Sequence, residues 1–418
     1  MPNNLPLNWC KCTIKDLCSI STGKLDANAA NENGIYPFFT CALEPLRINS
    51  FSFDGKCIYL PGNGANVGYV GYYEGKFDAY QRTYVLKDIS INTKYLYYSL
   101  LLNWKNYNNN KQFGIATNFI RLGNLENYPV NLPPLAEQER IVAKIEALFQ
   151  DIDEGVEHLK SAQVQIKQYC QSVLKSAFEG KLYKTTDWKE VKLSKIADAL
   201  GGYAFKSEKF SDVGYQIIRM GNIKPLTLNL EEKSVYIKDI DDKIKDKYLL
   251  QPNDIVITLT GTRKKRDYGY VVLIKDNSNL LLNQRLARLR PNDKVNAEYL
   301  AYALQSEPYQ TQFFLYETGN VGQGNVSMKA LTDESILLPT LSEQQCIVTE
   351  IEKRFAVADE LEKAITDALG KAEKLKQSIL KQAFEGKLVP QDPNDKPASV
   401  LLERIKKEQK PTKGKKKC

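Results

Sequence analysis

Three clusters of cationic and carboxamide side chains offer the clearest chemistry in this chain. Thr260-Gly261-Thr262-Arg263-Lys264-Lys265-Arg266 places four cations on a short connection between two apolar runs. A glycine there lets backbone approach a phosphate closely. Arginine and lysine pair with phosphates or with guanine O6 and N7. The matching stretch of the first half, Gly62 to Gly68, holds Asn63 and Asn66 between its glycines, and a carboxamide pairs well with adenine N6 and N7. A second set opens the next predicted strand in each half: Gln81 and Arg82, then Asn283, Gln284 and Arg285. A third, Arg219 and Asn222, lies in Ile217-Ile-Arg-Met-Gly-Asn-Ile223. Taken singly, each has a plainer reading. Asparagine and glycine are ordinary turn formers, and a cationic loop is ordinarily just solvated. Recurrence in both halves favours the set.

Catalytic signatures are missing. There is no G-x-x-x-x-G-K-[ST] phosphate loop, and the glycines at 62, 64 and 68 have the wrong spacing for a dinucleotide fold. Asn131-Leu-Pro-Pro-Leu135 is not the Asn/Asp-Pro-Pro-aromatic tetrad of an adenine methyltransferase, and Glu190-x-Lys192 lacks the Pro-Asp of a nuclease half-site. A single histidine, His158, leaves no Ser/His/Asp network. The eight cysteines, at 10, 12, 18, 41, 57, 170, 346 and 418, form no C-x-x-C pair. No metal site is expected, and scattered thiols are simply small buried groups.

Net charge is +8, from 58 basic and 50 acidic residues. The last 18 residues hold eight basic and two acidic side chains, which leaves about +2 for the other 400. Nucleic-acid binding must therefore rest on local patches rather than on mean charge. That tail reads equally as a solvated end or as a functional arm. The 43% hydrophobic and 26% charged content suits a soluble globular chain. No apolar run nears the ~20 residues of a membrane span, and MPNNLPLNWCKC is no secretory leader. Both point to the cytoplasm.

The elements that must position these clusters announce themselves by repetition. Residues 132–182 and 338–388 align at a constant offset of 206, with 23 of 51 positions identical. A fainter repeat, Trp9 to Gly23 against Trp188 to Gly202, precedes each. Each strong repeat reads as one long helix. Pro133, Pro134 and Pro339 mark its approach, Ser342 is a good N-cap for the second, and Gly180 and Gly386 are C-cap glycines. The apolar stripe of the first runs Ile141, Ile145, Leu148, Ile152, Leu159, Ala162, Ile166, Tyr169 and Val173. That of the second runs Ile347, Ile351, Ala358, Leu361, Ile365, Ala368, Ala372, Leu375 and Ile379. A period near 3.5 is a coiled-coil seam. About 40 residues give a rod of roughly 60 Å. The intervening ~155 residues are enough to return the chain for antiparallel pairing.

The variable regions read as strand-rich, each with strand, loop and strand at 56–60, 62–68 and 69–73, and again at 254–259, 260–267 and 268–274. They look like two versions of one α+β domain. The expected division is domain one at 1–131, helix one at 132–182, domain two at 183–337, helix two at 338–389 and a basic tail at 390–418. The fold class is thus α+β: two strand-rich domains joined by two long helices in an antiparallel coiled coil.

LPPLAEQERIVAKIE…LKSAFEGKL and LPTLSEQQCIVTEIE…LKQAFEGKL resemble the two conserved regions of type I restriction–modification specificity subunits. Trp9 to Leu17 and Trp188 to Ile196 resemble the family's domain-opening motif. Arg219-Met-Gly-Asn-Ile223 and Asn283-Gln-Arg285 resemble motifs of its target recognition domains. The resemblance spans essentially the whole chain. It implies that each domain reads one half of a bipartite, asymmetric DNA site, while the coiled coil sets the spacing. It also implies a non-catalytic subunit that joins two modification and two restriction subunits. Those partners would use S-adenosylmethionine, ATP and Mg²⁺; this chain would bind no cofactor. The first domain departs from the pattern. Gly34-Ile-Tyr-Pro-Phe-Phe-Thr40 stands where the second has its Arg-Met-Gly-Asn-Ile, so Thr40 replaces Arg219 as candidate. Alternatives are a coiled-coil adaptor without sequence-specific DNA binding, or a fusion with its own methyltransferase or nuclease activity.

Overall fold

The computed structural model describes residues 5–114, 117–182, 188–276, 279–320 and 322–408. Cys418 and the most basic part of the tail, 409–418, lie outside the described residues. The chain forms two compact units, Met1–Leu159 with Asp367–Cys418, and Lys160–Thr366. The two long helices, Leu135–Phe178 and Leu341–Phe384, each contribute one half to either unit.

In the first unit a four-stranded antiparallel sheet has the order Ser19–Thr22, Thr83–Lys87, Lys56–Pro61, Gly71–Glu74. In the second, Ala197–Gly201, Leu286–Pro291, Ile255–Thr258 and Val271–Leu273 repeat that order. Each unit adds a second sheet, of three strands in the first and four short ones in the second, containing one parallel pair. Tyr36–Phe39 lies beside Asp78–Ala79 in the first, and Tyr215–Ile218 beside Leu280–Leu282 in the second. The glycines that end the fainter repeat are explained by packing. A Cβ on Gly23 would strike the Ala79 carbonyl, and one on Gly202 would strike that of Asn283.

Each domain closes at the root of a long helix. Cys10–Thr13 pairs with Pro129–Leu132, and Lys189–Lys192 pairs with Ser335–Leu338. Just inside the helix stands a fully buried glutamine. Gln138 accepts from the Asn92 amide at 3.0 Å and donates to the Pro133 carbonyl at 2.9 Å. Gln344 accepts from the Asn296 amide at 2.8 Å and donates to the Pro339 carbonyl at 2.9 Å. Asn92 and Asn296 are themselves N-caps, of Thr93–Asn108 and Ala297–Gln305. The glutamine therefore joins the start of the long helix to the start of the domain helix, where free N–H groups need partners.

The far end of the other long helix arrives at the same place. Phe384 packs on Tyr95 in the first unit, ring centroids 5.1 Å apart, and Phe178 packs on Tyr299 in the second, at 5.2 Å. Both tyrosines are buried and donate to strand carbonyls, Tyr299 Oη to Leu337 at 2.7 Å. Within each unit the start of one helix thus faces the end of the other, so the pairing is antiparallel. Ile141, Val142 and Ile145 share a core with Ile379, Leu380 and Ala383. Val173, Leu174 and Ala177 share another with Ile347, Val348 and Ile351.

Three sequence expectations change here. Along the seam, Ile365 is also buried, and Leu148, Ile152, Leu159 and Ile166 are half-buried; but Leu361 and Leu375 are 51% and 52% exposed. The half-buried neighbours are instead Glu362 and Lys376. Ile351, Ala358, Ile365, Ala372 and Ile379 stay buried or half-buried at seven-residue intervals, so the 3.5 period holds; the second position of each heptad lies four residues further on, at Phe355, Glu362, Leu369 and Lys376, and not three. The second helix is capped by Thr340, not Ser342. Thr340 N donates to Glu343 Oε2 at 3.0 Å, and Glu343 N returns to Thr340 Oγ1 at 3.4 Å, a capping box. Finally, part of the tail is structured. Ala398–Glu408 is a helix that buries Ala398 and Ile405 in the first unit, with Lys406 3.5 Å from Asp16. Gly180 and Gly386 end their helices as expected, with φ of 73° and 70°.

Replacing Gln344 by leucine strands the Asn296 amide and the Pro339 carbonyl in the interior. The expected loss is about 2–6 kcal/mol, at ~1–3 kcal/mol for each of the two stranded groups, read from urea unfolding. A loss under about 0.5 kcal/mol would show that the glutamine does not hold the joint.

Candidate nucleic-acid interface

In each domain the candidate loops leave the four-stranded sheet at one end and are laced together by backbone bonds and by one side-chain bond. In the first, Gly62 N donates to Arg82 O at 2.8 Å, Asn66 Nδ2 donates to Cys41 O at 2.8 Å, and Ile120 N donates to Gly62 O at 2.9 Å. The segments at 40–41, 62–66, 81–82 and 118–120 therefore adjoin. In the second, Leu259 N donates to Arg285 O at 2.9 Å and Val326 N to Leu259 O at 2.9 Å, while Thr260 Oγ1 bonds Met220 Sδ at 3.1 Å. Segments 219–220, 259–262, 284–285 and 323–326 adjoin in the same way. All three predicted clusters come together in both domains.

The structure also adds a fourth segment that the sequence reading left unassigned. In the first domain, Phe113 and Phe119 bridge each other, and Asn63 bridges Phe119. In the second, Thr318 bridges Asn325, and Gln323–Asn325 pairs as a strand with Thr260–Thr262. The signal available was a shared Gly-x-x…Asn-apolar pattern, Gly114 to Ile120 and Gly319 to Val326. It was short and lay outside the gapless repeat.

Not every candidate is free to meet a ligand. Gln81, Arg82, Thr262, Arg263, Lys264, Lys265, Arg266, Gln284 and Arg285 are exposed, and Asn63, Arg219 and Asn283 are half-buried. Gln81 Nε2 reaches Asp26 Oδ2 at 3.1 Å. Thr40 sits directly after its strand, as Arg219 does, but it is buried, and its hydroxyl accepts from Ala42 N at 3.1 Å. Asn66 spends its amide on Cys41. Asn222 is 2% exposed; it accepts from Arg219 N at 2.9 Å and donates to the Asn229 and Glu232 carbonyls at 3.0 and 2.7 Å. These three are framework residues. A short polar side chain beside a turn finds local backbone partners first.

The cationic loop is also more built than its sequence suggests. Its first three residues are strand, and only the following turn carries the cations. Asp267 closes the turn by accepting from Thr262 N at 2.6 Å and Thr262 Oγ1 at 3.1 Å. Arg263 Nε donates to Glu317 Oε2 at 2.9 Å, and Tyr268 Oη donates to the other oxygen. Those bonds hold the Glu317 carboxyl below its usual range, while burial and the neighbouring carboxylate push the Tyr268 phenol up. The Arg266 guanidinium lies 4.9 Å from the Phe314 ring centroid. Lys264 and Lys265 form no ion pair among the described residues. Arg266 and Arg285 both have positive φ, 47° and 69°, a conformation that costs non-glycine residues of order 1 kcal/mol and is concentrated at functional turns.

Asn222→Ala removes the donors that hold the 229–232 loop. It is expected to cost about 1–3 kcal/mol and to speed hydrogen exchange in that loop while leaving the first unit unchanged. Exchange in that loop equal to the parent's would contradict the framework role.

Residues 6–160 and 185–371 match the family described as the type I restriction modification DNA specificity domain. The EcoDI type I restriction enzyme specificity subunit of Escherichia coli is 29% identical, over 99% of this chain and 98% of that subunit. The EcoBI subunit of Escherichia coli is 28% identical, over 70% of this chain and 67% of its own length. In fold, the chain is similar to one from a type I restriction–modification structure determined for complex assembly and conformational transition. That match has a TM-score of 0.68 at 19% identity, covering 93% of this chain and all of the other. Two matched segments, one for each domain with its converging loops, establish that this chain belongs to the type I restriction–modification DNA specificity family.

Proposed function

We propose that the chain is the DNA-sequence specificity subunit of a type I restriction–modification enzyme, with each domain reading one half of a bipartite, asymmetric site. One observation carries this reading. The two domains share a frame and a set of converging loops, yet present different side chains from them. The first offers carboxamides with a single candidate cation, Arg82; the second offers Arg219, Arg263, Lys264, Lys265, Arg266 and Arg285. Equal frames with unlike edges read unlike half-sites.

The long helices set the gap between the half-sites and dock the partners. Leu135 and Leu341, matched across the repeat, are 41% and 51% exposed at the two helix starts. Paired, near-identical surfaces of this kind suit two copies of one partner. In this reading the subunit is non-catalytic and acts in the cytoplasm. It joins two modification subunits that use S-adenosylmethionine and two restriction subunits that use ATP and Mg²⁺. Extruding the target adenine belongs to the modification subunits.

Expressing the chain with its modification subunit in a methylation-free host, and mapping N6-methyladenine, tests the proposal. The expected result is a gapped, non-palindromic motif that is absent when the modification subunit is expressed alone. A copurifying complex that adds no methylation would favour the adaptor reading. Independently, Lys264→Glu with Lys265→Glu is expected to flatten the salt dependence of DNA binding by about 0.9 per lost phosphate contact. An unchanged slope would remove this turn from the phosphate contacts.

A further inference from the structure

The fourth segment turns the cationic loop into a two-stranded ribbon. Thr260–Thr262 and Gln323–Asn325 pair antiparallel, with Thr262 opposite Gln323, Gly261 opposite Gly324 and Thr260 opposite Asn325. Side chains alternate along a strand, so the glycine pair forms one face and the four polar residues form the other. The glycine face is pinned to the domain. A Cβ on Gly324 would collide with Tyr268 Oη and Glu317 Oε1, and one on Gly261 with Asp267 and Tyr268. The opposite face is a row of hydroxyls and carboxamides. Thr260 anchors its inner end on Met220, and Thr262 and Gln323 stand exposed at its outer end. The Gln323 carboxamide has no hydrogen-bond partner among the described residues, whereas Thr262 is already bonded to Asp267.

We infer that this ribbon is the major-groove reading element of the second domain, that Gln323 contacts a base edge, and that Glu317 is a positioning residue that aims Arg263. The inference rests on the proposed function and deepens it. The major groove of B-DNA, ~12 Å wide, admits a two-stranded ribbon, and a glutamine there can bond adenine N6 and N7 together. Glycines on the rear face let the ribbon sit directly on Tyr268, and the ladder between its two strands holds the outer residues instead of leaving them on a loop. Glu317 engages only the Nε of Arg263, which leaves the terminal nitrogens of the guanidinium to reach outward from the start of the turn. Such preorganisation lowers the ordering cost of binding. Among the described residues the first domain joins the corresponding segments through an isolated Asn63–Phe119 bridge and not through a strand pair, so the two half-sites are met by different geometry.

The test uses the full chain with its modification subunit and reads the methylation motif of Gln323→Ala and Glu317→Gln. For Gln323→Ala the expected change is relaxed choice at one position of one half-site, with discrimination there falling on the order of 10- to 100-fold. The other half, the gap and the yield of complex stay as in the parent. Glu317→Gln keeps the side chain's size but removes the charge that holds Arg263. It is expected to weaken preference within that same half-site alone. If Gln323→Ala abolishes methylation, competition between specific and random duplex decides. Retained non-specific affinity with lost preference supports the ribbon; equal loss of both overturns it. A parent motif that both variants reproduce unchanged overturns the ribbon and leaves the proposed function standing. A parent chain that directs no gapped methylation overturns both.

Discussion

A buried glutamine at the start of each long helix is the joint on which the rest is built. Gln138 and Gln344 face the first free N–H of a domain helix with their oxygen and a proline carbonyl with their nitrogen. Burial makes each bond obligatory, since a stranded polar group costs far more than a made bond returns. The domain cannot rotate about the root of its helix without breaking both. A rigid root fixes how each domain sits on the start of its own long helix.

The same joint explains where the repeat is strong. Identity concentrates at its two ends, around Glu-Gln and around Ala-Phe-Glu-Gly-Lys-Leu, and thins in the middle. In each unit a Glu-Gln end meets an Ala-Phe-Glu-Gly end from the other helix, with Phe384 on Tyr95 and Phe178 on Tyr299. Two different stretches of sequence must therefore stay complementary to each other twice over. The middle of each helix answers only to its seam and tolerates Glu362 and Lys376 at half-buried positions.

Within the domains, a shared frame frees the loops to differ. Backbone bonds bring together the loops around 62, 82 and 120 in one domain and 259, 285 and 326 in the other, and backbone bonds do not depend on side-chain identity. Side chains that look like ligand groups are then sorted by geometry. Asn66 and Asn222 hold neighbouring carbonyls, whereas Lys264, Lys265 and Gln323 face solvent. An arginine pair at positive φ, Arg266 and Arg285, marks where the chain bends sharply enough to present these groups.

By itself the sequence determined the duplication, the two long helices with their terminal glycines, the strand–loop–strand core of each domain and the family. Each is written in local pattern or in repetition, which survive without knowledge of contacts. Tertiary structure alone decided three other matters. Leu361 and Leu375 fell out of the seam because the contact line passes through Glu362 and Lys376, four residues beyond Ala358 and Ala372, and only packing decides which side of a heptad line is covered. Thr40, Asn66 and Asn222 became framework because a turn supplies unpaired backbone within reach of a short polar side chain. Gln323 joined Thr262 because strand pairing brings together residues 61 positions apart, a relation that no local pattern records.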